Sequence, residues 1–250
     1  MRINSASDDP SGLAIADKLR TQAGSLKQGI ANANSGVSLI QIADKAMNEQ
    51  SRILDLVKTK LLQAKTDTTS DEGKEAIRKD INKLLTQLDN IASQTNYNGI
   101  SLLQADSNDT DPSTQLTFQV GETAADTVKT QGGAQANTIG LGIENLKNLA
   151  ADSLDSTTAG TWMGTIDDAL NTLNSFRSDF GSTQNQLESS VRYMTTMHTN
   201  LKASESVIRD VDYAQEVATL SRLAILMTAG MFAMTQANVI QETMLKLLLK

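Results

Sequence analysis

The sequence predicts a mainly α chain: an elongated antiparallel helical rod of coiled-coil type, a small β-hairpin region, and a C-terminal amphipathic assembly helix. Three observations predict it. Apolar residues recur every seven positions from Leu19 to Leu61, the repeat that keeps one seam of a helix against a partner helix. Of the 250 residues only 3% are aromatic and two are Pro, so length goes into extended helices rather than a large aromatic core. Leu220, Leu223, Met227, Met231, Met234, Ile240, Met244 and Leu247 recur mostly at steps of three or four. That spacing predicts one apolar helix face with no partner in its own neighbourhood, which reads as an assembly surface.

Asp8 or Asp9 is an N-cap, and Pro10 suits the first helical position, where a missing amide hydrogen does no harm. From there Leu19, Leu26, Ala33, Ile40, Met47, Leu54 and Leu61 form the seam, with Ala23, Ile30 and Val37 between them in the first half. Beyond Val37 the intermediate positions become Asp44, Ser51 and Lys58, while Ala43, Ile53 and Val57 lie beside the seam. The buried face therefore drifts around the axis. A helix over 10–66 would be roughly 85 Å long at ~1.5 Å per residue.

KTDTTSDEGK interrupts the repeat, and Thr69 and Glu72 have the spacing of a capping box. A second helix over 71–96 follows, with Ile77, Ile81, Leu84, Leu88 and Ile91 on one stripe and Asp80, Lys83, Gln87 and Asn90 facing away. The short connection favours an antiparallel hairpin of helices. Tyr97, Asn98 and Gly99 read as a turn. Between about 100 and 160 the helical period is lost. LTFQV at Leu116 to Val120 alternates as a strand, and TIGLGI at Thr138 to Ile143 is a less regular candidate. Helical spacing returns over 162–206. The expected division is a rod domain over 1–210 and a terminal helix over 211–250.

Composition narrows the function classes. A net charge of -7 and a pI near 4.8 disfavour nucleic acid as a partner, because phosphate binding draws on clustered Lys and Arg. With no Cys, disulfides and thiolate metal sites are excluded. The opening MRINSASDDP lacks the basic-then-apolar pattern of a cleaved secretory signal. Gln236, Asn238, Gln241 and Glu242 interrupt the terminal apolar run and argue against a membrane span.

The chemical motifs read as structural. His198 is the single histidine and has no partner base or second ligand in its surroundings. DSNDTD at 106–111 is acidic but lacks the glycine and distal glutamate of a calcium loop. Asn108, Asp109 and Thr110 form a glycosylation triplet of a kind common by chance. Gly140 and Gly142 stand without phosphate-loop context. No catalytic residue, cofactor or metal is expected, and the chain is not expected to be an enzyme.

Five blocks carry a resemblance. RINSASDDPSGLAIADKLR at Arg2 to Arg20, SQTNYNGISLL at Ser93 to Leu103, RSDFGSTQNQLES at Arg177 to Ser189, IRDVDYAQE at Ile208 to Glu216 and AGMFAMTQANVIQETMLKLL at Ala229 to Leu248 resemble, in family order, the terminal blocks of bacterial flagellin. The resemblance implies a structural filament subunit that self-assembles through terminal helices for motility, the last of them lining the filament's inner tube. It implies other flagellin subunits, a flagellar export chaperone, and hook-associated and cap proteins as partners. It places the chain outside the cell, delivered by the flagellar type III route without a cleaved signal. Hook-filament junction proteins share the helical plan and are the alternative, together with a non-assembling truncated copy. Against the family pattern the variable outer domains are missing, and roughly forty residues bearing the export signal are expected before the first block. In the stretch LDLVKTKLL at Leu54 to Leu62, where flagellins face a vertebrate innate receptor, Leu56 stands where an Arg is usual and Lys60 where a Leu is usual. Leu54, Leu56, Lys58 and Lys60 belong to this receptor-facing stretch, and the departures at Leu56 and Lys60 put receptor recognition in doubt.

Overall fold

The structure is a computed structural model, and it describes residues 1–105, 112–151 and 153–249. The acidic run at 106–111 and the Asn108 triplet lie outside the described residues. In chain order the elements are α1 (Pro10–Lys65), α2 (Asp71–Gln94), β1 (Asn96–Tyr97), β2 (Ile100–Ser101), β3 (Thr117–Gln119), β4 (Thr127–Lys129), α3 (Glu144–Lys147), α4 (Ser156–Arg209) and α5 (Tyr213–Leu248). Packing groups the chain into two units, residues 22–200 and residues 1–21 with 201–250.

The larger unit is held by α1, α2 and α4. In α1, Ala33, Ile40, Met47, Leu54 and Leu61 are fully buried at seven-residue steps, and Ala43, Gln50, Val57 and Ala64 form a second buried row. That second row stands one residue before Asp44, Ser51 and Lys58, which is the drift the sequence implies. In α4 the buried set Ala159, Ile166, Leu173, Phe180, Leu187 and Met194 repeats every seven residues as well. Two helices that each keep a seven-residue seam can bury it against each other.

Cross-links fix the direction of packing. Lys58 pairs with Asp167, and Asp44 accepts from the Arg177 Nε at 2.9 Å; further along, Gly36 lies against Leu187 and Gly29 against Met194. As the α1 number falls the α4 number rises, so the helices are antiparallel. Lys60 with Asp80 at 3.0 Å and Gln50 with the Leu88 carbonyl at 3.2 Å give the same sense for α1 and α2.

The element ends show where local chemistry decides. Asp9 caps α1 by accepting from the amides of Ser11 and Gly12. The predicted capping box at Thr69 and Glu72 is corrected: Ser70 caps α2 by accepting from the Gly73 amide at 3.2 Å, while the Thr69 hydroxyl donates to the Gln63 carbonyl in the tail of α1. On α2 the fully enclosed residues are Ile77, Ile81, Leu85, Leu88 and Ala92, with Leu84 and Ile91 half-buried beside them. The apolar arc is wider than one stripe.

Asn98 and Gly99 take φ of 52° and 81° and join β1 to β2 in the register Asn96 to Ser101. Positive φ at both central residues is what a two-residue hairpin turn requires, and Asn-Gly supplies it cheaply. β3 pairs antiparallel with β4, Phe118 opposite Val128. The second strand candidate, Thr138 to Ile143, is corrected. It is a buried double turn in which Ile143 donates to Thr138 and Leu141 to Asn137, with Gly142 at φ 71°. Its apolar residues alternate because Leu141 and Ile143 plug the core, and β4 is the strand that sequence spacing missed. Helix α4 begins at Ser156, six residues before the predicted Trp162, since Asp155 accepts from the Thr158 amide at 2.6 Å and starts the first turn there.

In the smaller unit, the Arg2 amide and guanidinium donate to the carbonyls of Arg209 and Ile208 at 2.6 and 2.9 Å. These are orphan carbonyls at the end of α4, and a cation is favoured there. Ile3 is buried beside Gly12.

Candidate assembly surface

Helix α5 is built for continuity. Asp212 caps it by accepting from the amides of Ala214 and Gln215, and Glu216 suits the positive end of the helix dipole. Its eight predicted residues are all exposed, from 50% for Ile240 to 75% for Leu247. Leu220, Leu223, Met227, Met231, Met234 and Met244 fall within that range.

The expectation of a single stripe needs correction. At about 100° per residue, Leu220, Leu223, Met227, Met231 and Met234 share an arc of about 80°, but Ile240, Met244 and Leu247 are centred about 130° away around the axis. The six-residue step from Met234 to Ile240 turns the stripe. Ile225, Phe232 and Val239 occupy a third side and are exposed too, as are Leu226 and Leu245. An angular plot would have found them, because the step pattern hides them behind the chosen eight. A helix apolar on all sides is one that becomes enclosed on all sides.

By length and composition alone, the exposed apolar run of α5 is long enough to cross a membrane. The sequence expectation of no span rested on Gln236, Asn238, Gln241 and Glu242, which stand near the end of that helix.

The second predicted stretch is a surface of a different kind. Leu54 is fully buried in the seam, whereas Leu56 and Leu62 point to solvent. Lys58 is paired with Asp167 of α4 and Lys60 with Asp80 of α2. The structure thus splits the four residues into one core residue, one exposed apolar residue and two cations held in surface pairs.

Three carboxylates are held below the usual range: Asp8 by the amides of Asn4 and Ser5, Asp126 by the amide of Thr123, and Asp155 by the amide of Thr158. All three organise turns or caps. A polar cavity of about 400 Å³ lies between α2 and α3, where Asp89 accepts from the Thr138 amide and hydroxyl and from Lys147. Those bonds use the carboxylate to tie the buried turn to α2. Among the described residues, no three His, Asp or Glu side chains gather as a metal set.

Comparison with known proteins agrees with this architecture. Residues 1–108 match the bacterial flagellin N-terminal helical region and residues 163–248 the C-terminal helical region. The chain is 30% identical to the flagellar filament 33 kDa core protein of Treponema phagedenis over 99% of its own length and 88% of that protein. It is 32% identical to a flagellin of Halalkalibacterium halodurans with the same coverage. Among solved structures, Bacillus cereus flagellin superposes with a TM-score of 0.56 at 27% identity, over 70% of this chain and 94% of that one. A putative flagellar hook-associated protein of Vibrio parahaemolyticus shares the fold at a TM-score of 0.65 and 11% identity, over 81% and 99% of the two chains. This chain belongs to the bacterial flagellins, the structural subunits of the extracellular flagellar filament.

Proposed function

We propose that this chain takes its place in the filament by burying α5 against the equivalent helices of neighbouring copies, with 1–210 as the rod and 211–250 as the inner-tube helix. The carrying observation is the bare, all-round apolar surface of α5. Each large side chain moved from water into such packing contributes about 1.5–3 kcal/mol, and enclosure from several sides uses every face. The surface pairs of Lys58 and Lys60 leave the α1 stretch at Leu54 to Leu62 without an arginine fork for a receptor carboxylate, so recognition by the vertebrate receptor is poor.

Before assembly the same helix requires a cover. A flagellar export chaperone fits that role, because Met227, Met231, Met234 and Met244 give α5 an adaptable apolar surface. Export by the flagellar type III route, without a cleaved signal, goes with this reading, and hook-associated and cap proteins would meet the same rod and helix at the filament ends.

Sedimentation and electron microscopy of the intact chain test the assembly claim. Met231→Asp and Leu247→Asp, on opposite sides of α5, are each expected to abolish regular polymers, since each forces a charge into an apolar contact. Polymers from both variants equal to those of the parent would place the interface elsewhere. Calorimetric titration of the chaperone with the same variants, against Lys83→Ala in the rod, tests the second partner: equal affinity for all three removes α5 from that interface.

A further inference from the structure

The methionines of this chain are distributed unevenly by exposure. Met47 and Met194 are sealed in the larger unit at 0% and 2% exposed, whereas Met227, Met231, Met234 and Met244 all stand in solvent on α5. Met47 lies in the α1 seam, and the Met194 sulfur lies against Gly29 in the antiparallel seam. On α5 no described side chain shields the sulfurs. Thioether sulfur is the most readily oxidised atom on a cysteine-free chain, and attack follows access.

We propose that Met227, Met231, Met234 and Met244 are an oxidant-sensitive modification site, and that their sulfoxides hold the unassembled chain out of the polymer. A peroxide-class oxidant transfers one oxygen atom to each thioether. A sulfur lone pair attacks the nearer peroxide oxygen, the O–O bond breaks, a proton passes to the departing oxygen, and water leaves. The sulfur is oxidised by two electrons and the peroxide is reduced by two. Each product is a sulfoxide, a strong acceptor on a side chain that was apolar.

The placement of the four residues makes the effect hard to evade. Met227, Met231 and Met234 share one side of α5, and Met244 is turned to another, so no orientation against a neighbour spares them all. Once α5 is enclosed the same sulfurs are out of reach. Oxidation thus acts in the interval before assembly and leaves packed copies alone. A sulfoxide oxygen carried into an apolar contact without a donor loses its water and gains nothing in return.

The inference rests on the assembly role of α5, and the experiment separates the two. The intact chain is treated with dilute hydrogen peroxide under native conditions, mapped by peptide mass, and then sedimented. The four α5 methionines are expected to gain oxygen well before Met47 and Met194, and the pelleted fraction to fall at least about tenfold. Treatment with methionine sulfoxide reductases of both stereospecificities should restore it. A variant carrying Met→Leu at 227, 231, 234 and 244 is read against its own untreated sample, and whatever fraction it pellets untreated should be the same after peroxide. Met1, also exposed, still oxidises in that variant and controls for oxidation outside α5.

Oxidation of Met47 and Met194 as fast as the α5 set, undiminished pelleting of the oxidised chain, or loss of pelleting in the peroxide-treated leucine variant each overturns the proposal. An untreated chain that never pellets overturns the assembly reading and the functional half of this one, while the oxygen map still decides the chemical half.

Discussion

The α1 seam from Ala33 to Leu61 and the surface of α5 are made from the same kinds of residue, yet one is fully enclosed and the other stands in water. The difference is angular. In α1 the apolar residues keep a seven-residue step and stay on one drifting side, so α4, with its own seven-residue set, covers them within the chain. In α5 the step changes after Met234 and the apolar residues reach every side. A one-sided seam is satisfied by intrachain neighbours; the all-round surface of α5 is left uncovered by the described residues of its own chain.

The largest expected contrast is in hydrogen exchange of the monomer. The amide of Leu85, fully buried on α2, should exchange only through opening of the larger unit, slower than the α5 amides at Leu226 by a factor of at least about a thousand. Equal protection would mean that α5 is already covered in the single chain. Next in size, Leu54→Ala should cost about 3–4 kcal/mol in urea unfolding by leaving a cavity in the seam, whereas Leu226→Ala should change monomer stability by less than about 0.5 kcal/mol.

Gln50 sharpens the comparison from inside the seam. Its Nε2 donates to the Leu88 and Ala136 carbonyls at 3.2 and 2.7 Å, while its Oε1 is buried with no partner. Gln50→Ala should cost about 1–3 kcal/mol, since two buried carbonyls lose their donor; an unchanged denaturation midpoint would show that water replaces the amide. A smaller effect is expected at the rim. Lys58→Met breaks the partly exposed pair with Asp167 and should cost below about 1 kcal/mol in the same assay.

The smallest contrast is with pH. Asp8, Asp126 and Asp155 have folded pKa values below their ordinary range, so each contributes stability above its unfolded pKa that is lost as pH falls through the folded value. Melting followed from pH 7 into the acid range should show a decline below the ordinary carboxylate pKa, slightly shallower in Asp155→Asn. A decline of unchanged depth in that variant would remove the α4 cap from the acid response.

Much of this was legible in sequence because long helices advertise themselves by period. The ends of α1 and the seam from Ala33 to Leu61 follow from Pro10 and the heptad alone, and the turn at Asn98 and Gly99 from residue chemistry. What was hidden is non-periodic. The buried turn at Thr138 to Ile143 mimics a strand until its bonds to Asn137 and Asp89 are known, and Ser70 rather than Thr69 caps α2 by a one-residue choice. The apolar helix α5 was legible but its faces were misread, because steps of three and four were followed across a step of six. No local signal marks Arg2 as the cap of a helix whose Ile208 carbonyl lies 206 positions away.

That last bond sets a schedule. At a synthesis rate of about 5–20 residues per second, Ile208 leaves the ribosome roughly 10–40 s after Arg2, and until then the Arg2 guanidinium and amide lack the carbonyls they bind. Contacts of such sequence separation form late and slowly. The smaller unit therefore cannot close until Ile208 and Arg209 have emerged, while α1 and α2, joined by a short loop, can pair as soon as both have emerged. The nascent chain passes through a stage in which its middle is folded and its two flanks still wait for each other.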